Sequence, residues 1–101
     1  MAFQSIRRIL PGAIRSAGIT RQVTAARVIE VARQSVVRLW GEERAAYVEP
    51  LAFQEGELKI AGLAPAALQE LEVDRVRIQN EINRALDAKA VHRLRFVSKT
   101  F

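Results

Sequence analysis

The chain has no cysteine. That removes a disulfide scaffold, a thiolate nucleophile and a cysteine-based zinc site together, and it suits a reducing cytoplasm. Histidine occurs once, as His92. It has no cysteine to pair with, and no Ser/His/Asp arrangement follows from the spacing, so its reading is structural rather than catalytic. Glycine is sparse, at positions 12, 18, 41, 56 and 62. Those positions spell neither GxxxxGK nor GxGxxG, the loops that cradle phosphates, and no GxxG either. Aromatic residues make up only 6% of the chain, which leaves little for stacking on bases. No apolar run approaches the roughly 18–20 residues needed to span a bilayer. The apolar part of the basic N-terminus is too short for a signal peptide, so the expected address is the cytoplasm. Glu42, Glu43, Glu49, Glu55 and Glu57 crowd together but lack metal-ligand spacing, and they read as a solvated rim. An enzyme is not expected, nor is a metal, another cofactor or a small-molecule substrate.

What is present is a globular composition, 50% apolar and 27% charged over 101 residues, which is one domain by length. The charge is uneven. Residues 1–44 hold eight Arg against three Glu, a net of +5, whereas residues 45–101 hold eight basic and eight acidic residues, a net of zero. An excess of this kind favours polyanions, either nucleic acid or an anionic membrane surface. Solubility alone is the competing reading.

Phe3, Ile6, Ile9 and Leu10 have helical spacing, with Arg7 and Arg8 between them and Arg15 beyond the Pro11-Gly12 interruption. This predicts a basic N-terminal segment over 1–18 with a short helix. A flap over an apolar protein surface is favoured over a membrane helix, because one short turn buries little area. Thr20 suits an N-cap, and the pattern from there to Glu43 is helical. Ala25, Ala26, Val28, Ile29, Ala32, Val36, Val37, Leu39 and Trp40 share one arc, which makes Trp40 a core anchor, and Gly41 suits the C-cap. A strand over 45–53 follows, and Pro50 in it marks an edge or a start. Gln54-Glu55-Gly56-Glu57 reads as a turn with Gly56 at a positive φ. A second strand spans 58–63, with Leu58 and Ile60 on one face and Lys59 and Ala61 on the other.

Pro65 opens a single long helix to Leu86, with Ala67, Leu68, Leu71, Ile78, Ile82, Ala85 and Leu86 on its apolar arc. Asp74–Arg77 and Glu81–Arg84 form i,i+3 pairs on the polar side. A third strand over 91–97 has Leu94 and Phe96 inward and Arg93 and Arg95 outward, and 98–101 is a loose end. The result is an α+β domain over 19–97, in the order α-β-β-α-β. It is a two-layer arrangement with a three-stranded sheet and two helices on one face. The other sheet face carries Lys59, Arg93 and Arg95. That face suits phosphates by charge and geometry, and it equally suits the polar side of a half-buried sheet.

The run Trp40-Gly41-Glu42, Val48-Glu49-Pro50-Leu51, Glu55-Gly56-Glu57-Leu58-Lys59-Ile60, Ala67-Leu68-Gln69-Glu70-Leu71, Glu81-Ile82-Asn83-Arg84-Ala85-Leu86 and Val91-His92-Arg93-Leu94-Arg95-Phe96 resembles the DciA family. These are bacterial proteins that act on the replicative helicase. The likeness spans about residues 20–97. It implies a K-homology-like fold and a non-enzymatic role in DNA replication. It also implies two partners: a DnaB-type replicative helicase to load or operate, and single-stranded or tailed DNA. No membrane partner is implied. The residues here that suit nucleic acid are Arg7, Arg8, Arg15, Lys59, Arg93 and Arg95. K-homology domains that bind RNA use a GxxG loop between two helices, and this chain has none, so any nucleic-acid contact uses another surface. Two other readings remain open: a free-standing RNA- or DNA-binding domain without a helicase role, and a plain protein-interaction module.

Overall fold

The computed structural model describes residues 23–99. The helix expected within 1–18, the expected cap Thr20 and residues 100–101 lie outside the described residues. Helix α1, Ala25–Trp40, is capped by Thr24, whose hydroxyl accepts the Arg27 N–H at 3.1 Å. Its buried stripe is Val28, Val31, Ala32, Ser35, Val36 and Trp40, an i, i+3, i+4 line. That stripe is narrower than the predicted half-turn: Ala25 and Ala26 are exposed, while Ser35 is buried. Ser35 tolerates burial because its hydroxyl accepts from the Arg38 guanidinium at 3.1 Å. Gly41, at φ +88°, ends α1 by donating its N–H to the Val37 carbonyl at 2.7 Å. A one-turn helix α2, Glu42–Ala45, follows where the strand was expected to begin.

Strands β1, Val48–Gln54, and β2, Glu57–Gly62, form an antiparallel hairpin. Glu55 and Gly56 both have positive φ, 52° and 81°. Two such residues give the hairpin turn whose twist matches that of the strands. Pro50 pairs with Ile60, but Ala52, not Leu51, pairs with Lys59. Leu51 is therefore the extra residue of a β-bulge. The bulge reverses side-chain parity, so Val48 and Pro50 point to the core before it and Phe53 after it. Strand β3, Arg93–Ser98, runs parallel to β2 on its other side. The order β1-β2-β3 leaves β1 at an edge, where a residue without an N–H is tolerated.

The predicted single helix is two, α3 (Pro65–Val73) and α4 (Arg75–Leu86). The junction is Asp74, at φ −97° and ψ 14°. Its backbone hydrogen bonds still run through the bend, to Glu70 at 3.0 Å and from Ile78 at 2.8 Å. Its carboxylate, however, accepts the Trp40 indole N–H at 2.9 Å, which ties the bend to the end of α1. An aspartate engaged in this way competes with regular helix geometry.

The helices cover one sheet face, burying Leu58, Ile60 and Leu94 against Val28, Val36, Leu71, Ile78 and Ile82. Each fully buried Leu or Ile contributes about 1.5–3 kcal/mol, whereas an exposed ion pair contributes about 0–1. The core therefore holds the fold, and the ion pairs shape the surface. Two polar clamps seat β3. Asn83 brackets the Val91 backbone, accepting its N–H and donating to its carbonyl, both at 2.9 Å. Arg75 donates to the Leu94 carbonyl at 2.6 Å, forks onto the Glu72 carboxylate and lies 4.5 Å over the Phe96 ring.

Candidate nucleic-acid interface

With Leu58, Ile60 and Leu94 turned to the helices, the alternate residues of β2 and β3 turn the other way. The parallel register sets Glu57 beside Arg93, Lys59 beside Arg95, and Ala61 beside Val97. Lys59, Arg93 and Arg95 are thus brought together on the open face, as the alternation predicts. Arg7, Arg8 and Arg15 lie outside the described residues.

The three cations do not have equal standing. Arg93 Nε contacts Glu57 at 3.1 Å. Lys99 Nζ contacts Glu49 at 2.6 Å, from the end of one edge strand to the other across the small Ala61. Lys59 and Arg95 have no acidic partner among the described residues. They sit on adjacent strands about 4.8 Å apart. Like charges directly opposite one another repel, and a ligand anion placed between them relieves that repulsion. The open face therefore has a positive centre bracketed by two neutralised pairs.

The helix side is the electrostatic opposite. Arg38 meets Glu81 at 3.0 Å, Arg77 meets Asp74 at 3.5 Å, and Arg84 meets Glu81 at 2.6 Å. Arg44 pairs with Glu70 while lying 5.3 Å over the Trp40 ring. The two arginines around Glu81, Arg84 first, hold its carboxyl below its ordinary pKa. Val73 and Val76 are 79% and 69% exposed on this side, so it offers apolar surface and paired charge. Apart from Lys59 and Arg95, the lysines and arginines without an ion pair among the described residues are Arg27 and Lys89, and neither is on the sheet.

None of the strand residues turned to the open face is aromatic, since Phe53 and Phe96 both turn to the core side. Such a face can contact phosphate oxygens but offers no ring on which a base could stack. His92 lies against the hairpin turn: a Cβ added to Gly56 would stand 2.6 Å from its Cδ2. The backbone N–H groups of His92 and Arg93 both donate to the Gly56 carbonyl, at 2.8 and 3.1 Å. That is a packing role. Among the described residues no group of three or more His, Cys, Asp or Glu is placed to hold a metal ion. No helix among them is long and apolar enough to cross a membrane.

Sequence reasoning missed Glu57 and Lys99 as parts of this face. Glu57 shares parity with Lys59, which was a signal for its face. Its contact with Arg93 required the register of two strands 36 residues apart.

A family model described as "Dna[CI] antecedent, DciA" matches residues 5–96. The chain belongs to the DciA family. No curated protein matches it.

Proposed function

We propose that this DciA-family chain is a cytoplasmic, non-enzymatic accessory protein of DNA replication. In this reading it engages a DnaB-type replicative helicase, binds DNA, and helps load or operate the helicase. The observation that supports the helicase link is the family match over residues 5–96, whose description as a Dna[CI] antecedent suggests a role linked to loading of a DnaB-type helicase. The DNA contact rests on the open sheet face, where Lys59 and Arg95 stand side by side without acidic partners among the described residues. Arg93 adds to that face, and Arg7, Arg8 and Arg15 add basic charge in the N-terminal segment. The contact is with the phosphate backbone and is indifferent to sequence, because the strand residues of this face supply donors and, among the described residues, no stacking ring.

Two assays test the reading. Co-purification with the helicase from the source cell, together with faster helicase loading on single-stranded DNA, is the expected result. Absence of both refutes the helicase role. For DNA, each of Lys59→Ala and Arg95→Ala removes one phosphate contact. At about 0.1 M salt each should weaken single-strand binding roughly fivefold and flatten the log–log salt slope by about 0.7. If DNA binds and both variants behave as the parent does, the sheet face is not the contact. DNA binding that weakens as predicted without any helicase contact would instead favour a free-standing nucleic-acid-binding domain.

A further inference from the structure

We infer that Glu57 limits the affinity of the open sheet face for polyanions by holding Arg93 in a neutral pair. The inference rests on the DNA-binding reading above and concerns the strength of that same surface. Glu57 and Arg93 are register partners on neighbouring strands, and their side chains meet at 3.1 Å beside the Lys59–Arg95 pair. Three cations therefore stand in one block, two of them without an acidic partner among the described residues and the third engaged by a carboxylate. A phosphate arriving at Lys59 and Arg95 meets this carboxylate at the next register position. It is repelled by Glu57 and must also compete with it for the Arg93 guanidinium. The Arg93 side chain is 66% exposed, so nothing but Glu57 among its ion-pair partners restrains it. The Glu49–Lys99 pair borders the same face from the far end of the strands. The face is thus tuned to a short cationic centre rather than a continuous stripe. A weak, sequence-indifferent contact of this kind lets a nucleic acid be exchanged or moved along rather than retained.

The experiment is a salt titration of binding to a fluorescent single-stranded oligothymidylate by the full chain and five variants, Lys59→Ala among them. Glu57→Gln frees Arg93 to make one more phosphate contact. The expected result is roughly fivefold tighter binding at about 0.1 M salt, with a slope steeper by about 0.7. Glu43→Gln changes net charge equally on α2, outside the block of Lys59, Arg93 and Arg95, and should leave binding unchanged. Arg93→Ala alone should weaken binding only slightly, and Glu57→Gln with Arg93→Ala should lose the gain. A thermal melt of each variant reports folding, and Glu57→Gln should melt within a few degrees of the parent, as loss of an exposed pair does. The inference is overturned if Glu57→Gln binds no tighter than Glu43→Gln, or if its gain survives Arg93→Ala. If the oligonucleotide binds none of the proteins at low salt, the DNA-binding reading itself fails and this inference falls with it. Binding that responds to Lys59→Ala but not to Glu57→Gln overturns the inference alone.

Discussion

Replacing Asn83 by alanine should be among the most damaging polar substitutions in the molecule. The Asn83 side chain makes two hydrogen bonds of 2.9 Å to the Val91 backbone, one in each direction. Val91 is only 1% exposed and sits just before β3. In the alanine variant its carbonyl keeps the Gln79 amide at 3.2 Å, but its N–H loses its partner. An orphaned buried donor costs about 1–3 kcal/mol and a lost hydrogen bond about 0.5–1.5, so a total near 2–3 kcal/mol is expected. In a domain of this size that lowers the thermal midpoint by about 8–24 °C. Gln79→Ala removes one longer bond from a carbonyl that keeps Asn83, and should cost no more than about 1 kcal/mol. Urea and thermal denaturation of both variants measure the difference, and hydrogen exchange should show the β3 amides opening first in Asn83→Ala. An Asn83→Ala variant within about 0.5 kcal/mol of the parent, or no worse than Gln79→Ala, would refute the view that this bracket seats β3.

Other outcomes follow from the same geometry. Gly56→Ala should cost about 1–3 kcal/mol, since it combines a left-handed φ with a clash against His92, and adding His92→Ala should recover the steric part; purely additive losses would exclude that clash. Trp40→Phe and Asp74→Ala should each destabilise, Trp40→Phe by about 1–2 kcal/mol, and the double variant should cost less than their sum if the indole–carboxylate bond is the shared loss. Glu81 has a folded pKa below its ordinary value of 4.5, held there by Arg84 and then Arg38. Its contribution to stability is therefore present above that value and fades as pH falls through the lower folded value. Acid denaturation of Glu81→Gln should lack this part of the pH dependence, and an unchanged acid profile would count against the pairing.

Several features of the fold were legible because they rest on local chemistry. Pro65 at the start of α3, the glycine turn at Gly56 and the alternation around Leu58 and Ile60 each depend on neighbours in the chain. The same two-residue alternation put Lys59, Arg93 and Arg95 on one face before any register was known. Thr24 rather than Thr20 caps the described helix, a shift of about one turn between two chemically equivalent hydroxyls. The ion pairs Asp74–Arg77 and Glu81–Arg84 were also readable, because i,i+3 neighbours meet on any helix.

By itself, the sequence determined the order α-β-β-α-β and the cationic character of the open sheet face, and it narrowed Pro50 to an edge strand or a strand start, since propensity and periodicity act over a few residues. Tertiary structure alone decided the bulge at Leu51, the bend at Asp74 and the pairing of Arg93 with Glu57. Each of these depends on partners distant in the chain: an indole 34 residues before Asp74, and strand registers that bring β1 and β3 against β2. Those contacts form only once burial of the core has fixed which strands are neighbours. The separation of free cations on the sheet from neutralised ones beside them is therefore a property of the folded chain and not of its composition.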